Sequence, residues 1–123
     1  MYVRTEELRG RLDDPELTIL DVRSADEFSG EAGYPCCARQ GHIPGARHLD
    51  LAELVGRNAA PHSPEELREL VGLPAGAEIV CYCHSGSRSG FAAAILREAG
   101  YDAKNYTGSW HEWSHEADLP VGD

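Results

Sequence analysis

Cys83 opens the segment Cys83-His84-Ser85-Gly86-Ser87-Arg88, and its flanks decide what that cysteine can do. An apolar run (Ile79, Val80, Cys81, Tyr82) precedes it, and an Ala-rich helical run from Phe91 to Ala99 follows. A strand, a short Gly/Ser loop and a helix therefore meet at one sulfur. There the loop N–H groups and the positive helix end point at the sulfur and favour a thiolate, or any anion brought to it. The expected chemistry is that of a nucleophilic or sulfur-carrying cysteine.

The remaining elements must position that loop. Thr5 is expected to cap a short helix carrying Leu8 and Leu12, and Leu17 to Val22 reads as a buried strand. Ser24 to Glu27 has capping-box spacing and opens a helix containing Phe28. Gly30 to Gly41 lacks a period and reads as an irregular loop. Ala46 to Leu49 forms a short strand leading into Leu51 to Val55. Ser63-Pro64-Glu65-Glu66 starts a helix that Gly72 closes. After the Cys83 loop and its helix come a strand near Ala103 to Tyr106 and a last helix from about Ser109. Strands alternate with helices, which predicts an α/β fold: a parallel sheet with helices on both faces and Cys83 at a strand's carboxyl end.

The bulk numbers suit one domain over residues 1–123, with 41% apolar and 26% charged residues and no repeat or low-complexity tract. The formal charge of −10 repels nucleic acid and anionic membranes, so neither is expected as a partner. The N-terminal segment from Met1 lacks the apolar core of a signal peptide, and no run approaches bilayer length, so a cytoplasmic protein with free thiols is expected.

Leu20-Asp21-Val22-Arg23, Gly41-His42-Ile43-Pro44-Gly45-Ala46 and the Cys83 loop, in that order and spacing, resemble a rhodanese domain. Gly108-Ser109-Trp110-His111-Glu112-Trp113 and Leu119-Pro120-Val121 are similar to the tail of thiosulfate and mercaptopyruvate sulfurtransferases, so the likeness covers nearly the whole chain. The resemblance implies a sulfurtransferase needing neither cofactor nor metal. Cys83 would take a sulfane sulfur from thiosulfate or a similar small anionic donor and pass it as a persulfide to cyanide or a thiol acceptor. His84, Ser85, Gly86, Ser87, Arg88 and Ser89 would line the donor site. Four residues separate Cys83 from Arg88, whereas cysteine phosphatases of this fold have five. The tighter ring suits one sulfur better than a phosphate, so a phosphatase is the weaker reading. The rival from another class is a non-catalytic sulfur-relay or partner-binding module, served by a cysteine desulfurase or a thioredoxin-like protein.

Arg88 ending the loop favours thiosulfate over mercaptopyruvate, and His84 either orients the donor or faces solvent. Asp21 and Arg23 are expected to support the pocket structurally, with a direct donor contact from Arg23 as the alternative. His42 reads as a hydrogen-bonded structural histidine. Cys36 and Cys37 are read as exposed loop thiols, idle or relaying sulfur from Cys83, and Cys81 as a small core residue. His111-Glu112-Trp113-Ser114-His115 matches the H-E-x-x-H zinc pattern, but its helix is cut off by Asp118-Leu119-Pro120 and the zinc reading is rejected. A zinc set of Cys36, Cys37, Cys81 and Cys83 lacks finger spacing and is also set aside.

Overall fold

A computed structural model describes residues 2–56 and 60–122; Met1, residues 57–59 and Asp123 of the expected domain lie outside the described residues. In chain order the elements are β1 (Tyr2–Val3), α1 (Thr5–Arg9), β2 (Leu17–Asp21), α2 (Ala25–Ser29) and β3 (Arg47–His48). A 3-10 helix (Leu51–Leu54), α3 (Pro64–Val71), β4 (Glu78–Tyr82), α4 (Ser87–Glu98), β5 (Asp102–Tyr106) and α5 (Ser109–His115) follow. The strands form one parallel sheet in the order β1-β5-β4-β2-β3.

β4 is central because its apolar residues are buried on both sides, as parallel sheets require. Side chains alternate along it. Cys81, Ile79 and then Cys83 join Leu67 and Val71 of α3 and Ala92, Ala93 and Leu96 of α4 in one core. Val80 and Tyr82 face the other core, with Leu8 of α1 and Trp110 and Trp113 of α5. The α/β class read from the sequence is therefore the observed one, with helices on both faces.

The caps of α2 and α3 form as their sequences dictate. Ser24 accepts from the Glu27 N–H at 3.3 Å and Ser63 from the Glu66 N–H at 3.2 Å, and Gly72 ends α3 in the left-handed region at φ 75°. Three local expectations change. Arg4, not Thr5, is the N-cap of α1, and the Thr5 hydroxyl is engaged by Tyr106 and Glu112 instead. α4 begins at Ser87 rather than Phe91, because Gly86 turns the chain at φ 98° and its carbonyl already accepts the Gly90 N–H at 2.9 Å. β1 was not anticipated, since two residues at a sheet edge carry no readable period.

Candidate active site

The carboxyl end of β4 delivers Cys83, and the first turn of α4 closes over its sulfur. The Gly86 N–H donates to Cys83 Sγ at 3.1 Å and the Ser89 hydroxyl lies 3.3 Å from it. Burial pushes the thiol up; the bonds from Ser89 and from the Gly86 and Ser85 amides outweigh it, so the group ionises below its ordinary value. Cys83 is only 1% exposed.

The loop holds this shape through contacts outside itself. A Cβ on Gly86 would lie 2.8 Å from the Thr107 carbonyl oxygen, and its φ of 98° excludes other residues as well. The Trp110 and His111 N–H groups at the start of α5 donate to the Cys83 and His84 carbonyls, each at 2.9 Å. These bonds engage both carbonyls with partners outside the loop. Ser109, buried and at φ 55°, accepts the Cys83 N–H at 3.0 Å and donates to Tyr106 O at 2.8 Å. Ser89 Oγ also sits 2.6 Å from Asn105 Oδ1, while Asn105 Nδ2 donates to Gly86 O at 3.0 Å. One hydroxyl proton serves one acceptor at a time, so Ser89 reaches the sulfur by turning from Asn105.

Arg88 is at the rim, but it is not free. Its guanidinium pairs with both Glu27 oxygens at 2.9 and 3.2 Å. Burial opposes ionisation of Glu27, and Arg88 with the Ser24 bonds overrides it, holding the carboxyl at about 2. A depression lined by Glu27, Gly33, Tyr34 and Pro35 adjoins this pair.

Arg23, expected as support or as a donor contact, has support geometry only. Its side chain is 1% exposed, gripped by both Asp21 oxygens and by Gly41 O at 2.6 Å, and lies over the rings of Trp110 and Tyr82. Its reach to a donor is thereby corrected: the guanidinium is consumed inside the core. His42 is buried, bonded to Phe28 O at 2.8 Å and stacked on the Phe28 ring, a structural histidine.

The irregular loop from Gly30 to Gly41 folds over this edge. Arg39 donates to the Trp113, Ser114, Glu116 and Leu119 carbonyls at 2.8–3.2 Å, clamping the end of α5, and Trp110 Nε1 returns a bond to Arg39 O. Cys37 is buried, which corrects its reading as an exposed thiol; Cys36 is exposed. Cys36 Sγ lies 3.5 Å from His84 Nε2 and 3.8 Å from His111 Nδ1, and the Tyr34 ring stacks on His84. His84 is thus drawn into a cluster, between the two alternatives weighed for it. Cys36, Cys37, His84 and His111 bring their donor atoms within 4.8 Å of one another. Neither zinc set weighed from the sequence forms: Cys81 is sealed in the α3/α4 core, and His115 bonds the His111 carbonyl.

Comparison with known proteins agrees with this geometry. The rhodanese-like domain family matches residues 4–116. The chain belongs to that family. A thiosulfate sulfurtransferase of Azotobacter vinelandii is 36% identical over 93% of this rhodanese chain and 43% of its own length. A sulfur carrier protein, TtuD, of Thermus thermophilus is 38% identical over 84% of this chain and 40% of its own. A crystal structure described as "Probable Thiosulfate Sulfurtransferase" superposes with a TM-score of 0.82 at 42% identity, over 99% of this chain and 47% of that one. The rhodanese chain spans less than half the length of these relatives. An anaerobic ergothioneine biosynthesis enzyme from Chlorobium limicola, 24% identical with a TM-score of 0.88 over 98% of this chain and 31% of that one, shares the fold. Among the described residues, no helix is long and apolar enough to cross a membrane.

Sequence reasoning missed Asn105, Glu27, Arg39 and the role of Ser109. Only Ser109 carried a signal, a serine directly after a glycine at a strand-to-helix junction.

Proposed function

We propose that this chain acts as one rhodanese domain over residues 1–123 and transfers sulfane sulfur through a persulfide on Cys83. The observation carrying this reading is the N–H-lined cradle around Cys83 Sγ at the carboxyl end of β4. The thiolate attacks the outer sulfur of thiosulfate, the donor's S–S bond breaks, and sulfite leaves with the electron pair. A nucleophile such as cyanide or a thiolate then attacks the outer sulfur of the Cys83 persulfide, and the Cys83 thiolate departs. No proton, metal or oxidant is needed to balance either step. The Ser85, Gly86 and Ser89 donors hold the charge on the added sulfur, with Ser87 and His84 lining the loop. Arg88 meets the donor's oxyanion by sharing itself with Glu27.

That shared arginine favours a second reading, in which a protein partner delivers the sulfur. A cation committed to Glu27 is a weaker lure for a free small anion. A cysteine desulfurase would supply the persulfide and a thioredoxin-like thiol would remove it, in keeping with likeness to a named sulfur carrier.

Intact mass of the reduced protein after incubation with thiosulfate tests the first reading. A gain of one sulfur atom in the wild type and none in Cys83→Ser is expected. A gain that survives Cys83→Ser rejects the Cys83 persulfide. No gain from thiosulfate, with a Cys83-dependent gain from a desulfurase and free cysteine, selects the relay reading.

A further inference from the structure

We infer that Cys36, Cys37, His84 and His111 form a tetrahedral binding site for a single Zn2+ ion beside the Cys83 loop. The four come from two sequence-distant loops and a helix: Cys36 and Cys37 from the irregular loop, His84 from the turn after β4, and His111 from α5. Their donor atoms all lie within 4.8 Å of one another, two thiols and two imidazole nitrogens with no carboxylate among them. That donor set selects a borderline cation such as zinc and discriminates against Mg2+ and Ca2+, which take oxygen.

The spacing fits the ion. Zn–S of about 2.3 Å and Zn–N of about 2.0–2.1 Å, set at the tetrahedral angle, separate sulfur from nitrogen by about 3.6 Å. Cys36 Sγ stands 3.5 Å from His84 Nε2 and 3.8 Å from His111 Nδ1, so these edges of the tetrahedron are already drawn. The scaffold is preorganised as well. Tyr34 stacks on the His84 ring with centroids 3.9 Å apart, the His111 N–H is bonded to His84 O, and Arg39 fixes the cysteine loop to α5. Cys36 and His111 are exposed, His84 is half-buried and Cys37 is buried, so the site opens to solvent on one side. On binding, the two thiols release their protons to solvent and the imidazoles coordinate as neutral ligands. The ion would brace the covering loop against the residue that follows Cys83.

The test uses the purified, reduced chain under anaerobic conditions, titrated with Co2+ alone as a spectroscopic probe and then with Zn2+. Expected are the d–d absorption of tetrahedral cobalt and a thiolate charge-transfer band, saturating at one equivalent and erased by one equivalent of Zn2+. Cys36→Ala and His111→Ala, both at exposed positions, should each weaken binding more than about 100-fold, beyond what loss of a mere outer partner costs. Circular dichroism of the metal-free variants checks that they remain folded, which Cys37→Ala, at a buried position, does not guarantee. Cys83→Ser should bind as the wild type does. Octahedral or absent cobalt spectra, a band that survives the Cys36→Ala/His111→Ala double variant, or loss of the band in Cys83→Ser would overturn the site. None of these readouts needs sulfur turnover, so the zinc site and the sulfur transfer stand or fall separately.

Discussion

At the scale of single residues, the loop cysteine proposed as nucleophile was legible and the residues that hold its loop were not. Cys83 declared itself because an apolar run, a glycine and serines, and an arginine are contiguous, and local order is what sequence displays. Asn105, which holds Gly86 O, and Glu27, which engages Arg88, come from β5 and α2, and no spacing links them to the loop. Arg23 misled for the same reason: an arginine beside a pocket motif looks available until its partners in the core are seen. Gly86 is the residue where local rule and tertiary packing agree. Gly86→Ala would place a methyl group 2.8 Å from Thr107 O in a left-handed backbone. A destabilisation of about 1–3 kcal/mol in urea unfolding is expected, with loss of sulfur loading in the folded fraction. Loading at the wild-type level would show that the cradle does not depend on this turn.

At the scale of elements, the capping boxes and the alternation of strand and helix were readable because each is written within a few residues. The edge strand β1 and the true start of α4 were not, since one depends on a neighbour in the sheet and the other on the turn at Gly86. The start of β4 is also tied electrostatically to β5. Glu78 on β4 receives Arg11 from the segment after α1 at 2.7 Å and Lys104 on β5 at 2.9 Å. The Arg11 and Lys104 bonds hold the Glu78 carboxyl down at about 2, below its unfolded value. A depressed carboxyl stabilises the fold above its unfolded pKa, and that stability drains away as pH falls from about 4 toward 2. Partly exposed partners reduce the effect to about 1 kcal/mol. Urea midpoints should therefore separate wild type from Glu78→Gln at pH 7 and draw together as pH falls toward 2; a gap of constant size over that range would contradict the linkage.

At the scale of the whole molecule, the balance of 11 basic against 21 acidic residues meets a proposed anionic donor. The general field opposes approach, while Arg88 and the loop amides attract only at contact. Salt screens the first more than the second, because the Debye length shrinks from about 30 Å at 0.01 M to about 8 Å at 0.15 M. The rate of Cys83 loading by thiosulfate, followed by stopped-time mass measurement, should rise about two- to threefold over that range. A rate that falls with salt would mean that the pocket's own positive potential dominates the approach.

The two α5 amides that hold the Cys83 and His84 carbonyls have a consequence for portability. A short Gly/Ser turn can rotate a peptide plane and present oxygen where it presented N–H, reversing the potential inside the ring. Here each such flip would break a bond to the start of α5 and leave a helix N–H unmatched. The polarity of the loop is thus stored in a segment 27 residues away. Grafting Cys83 to Arg88 onto another strand–helix junction would carry the letters of the motif without the latch that fixes their sign.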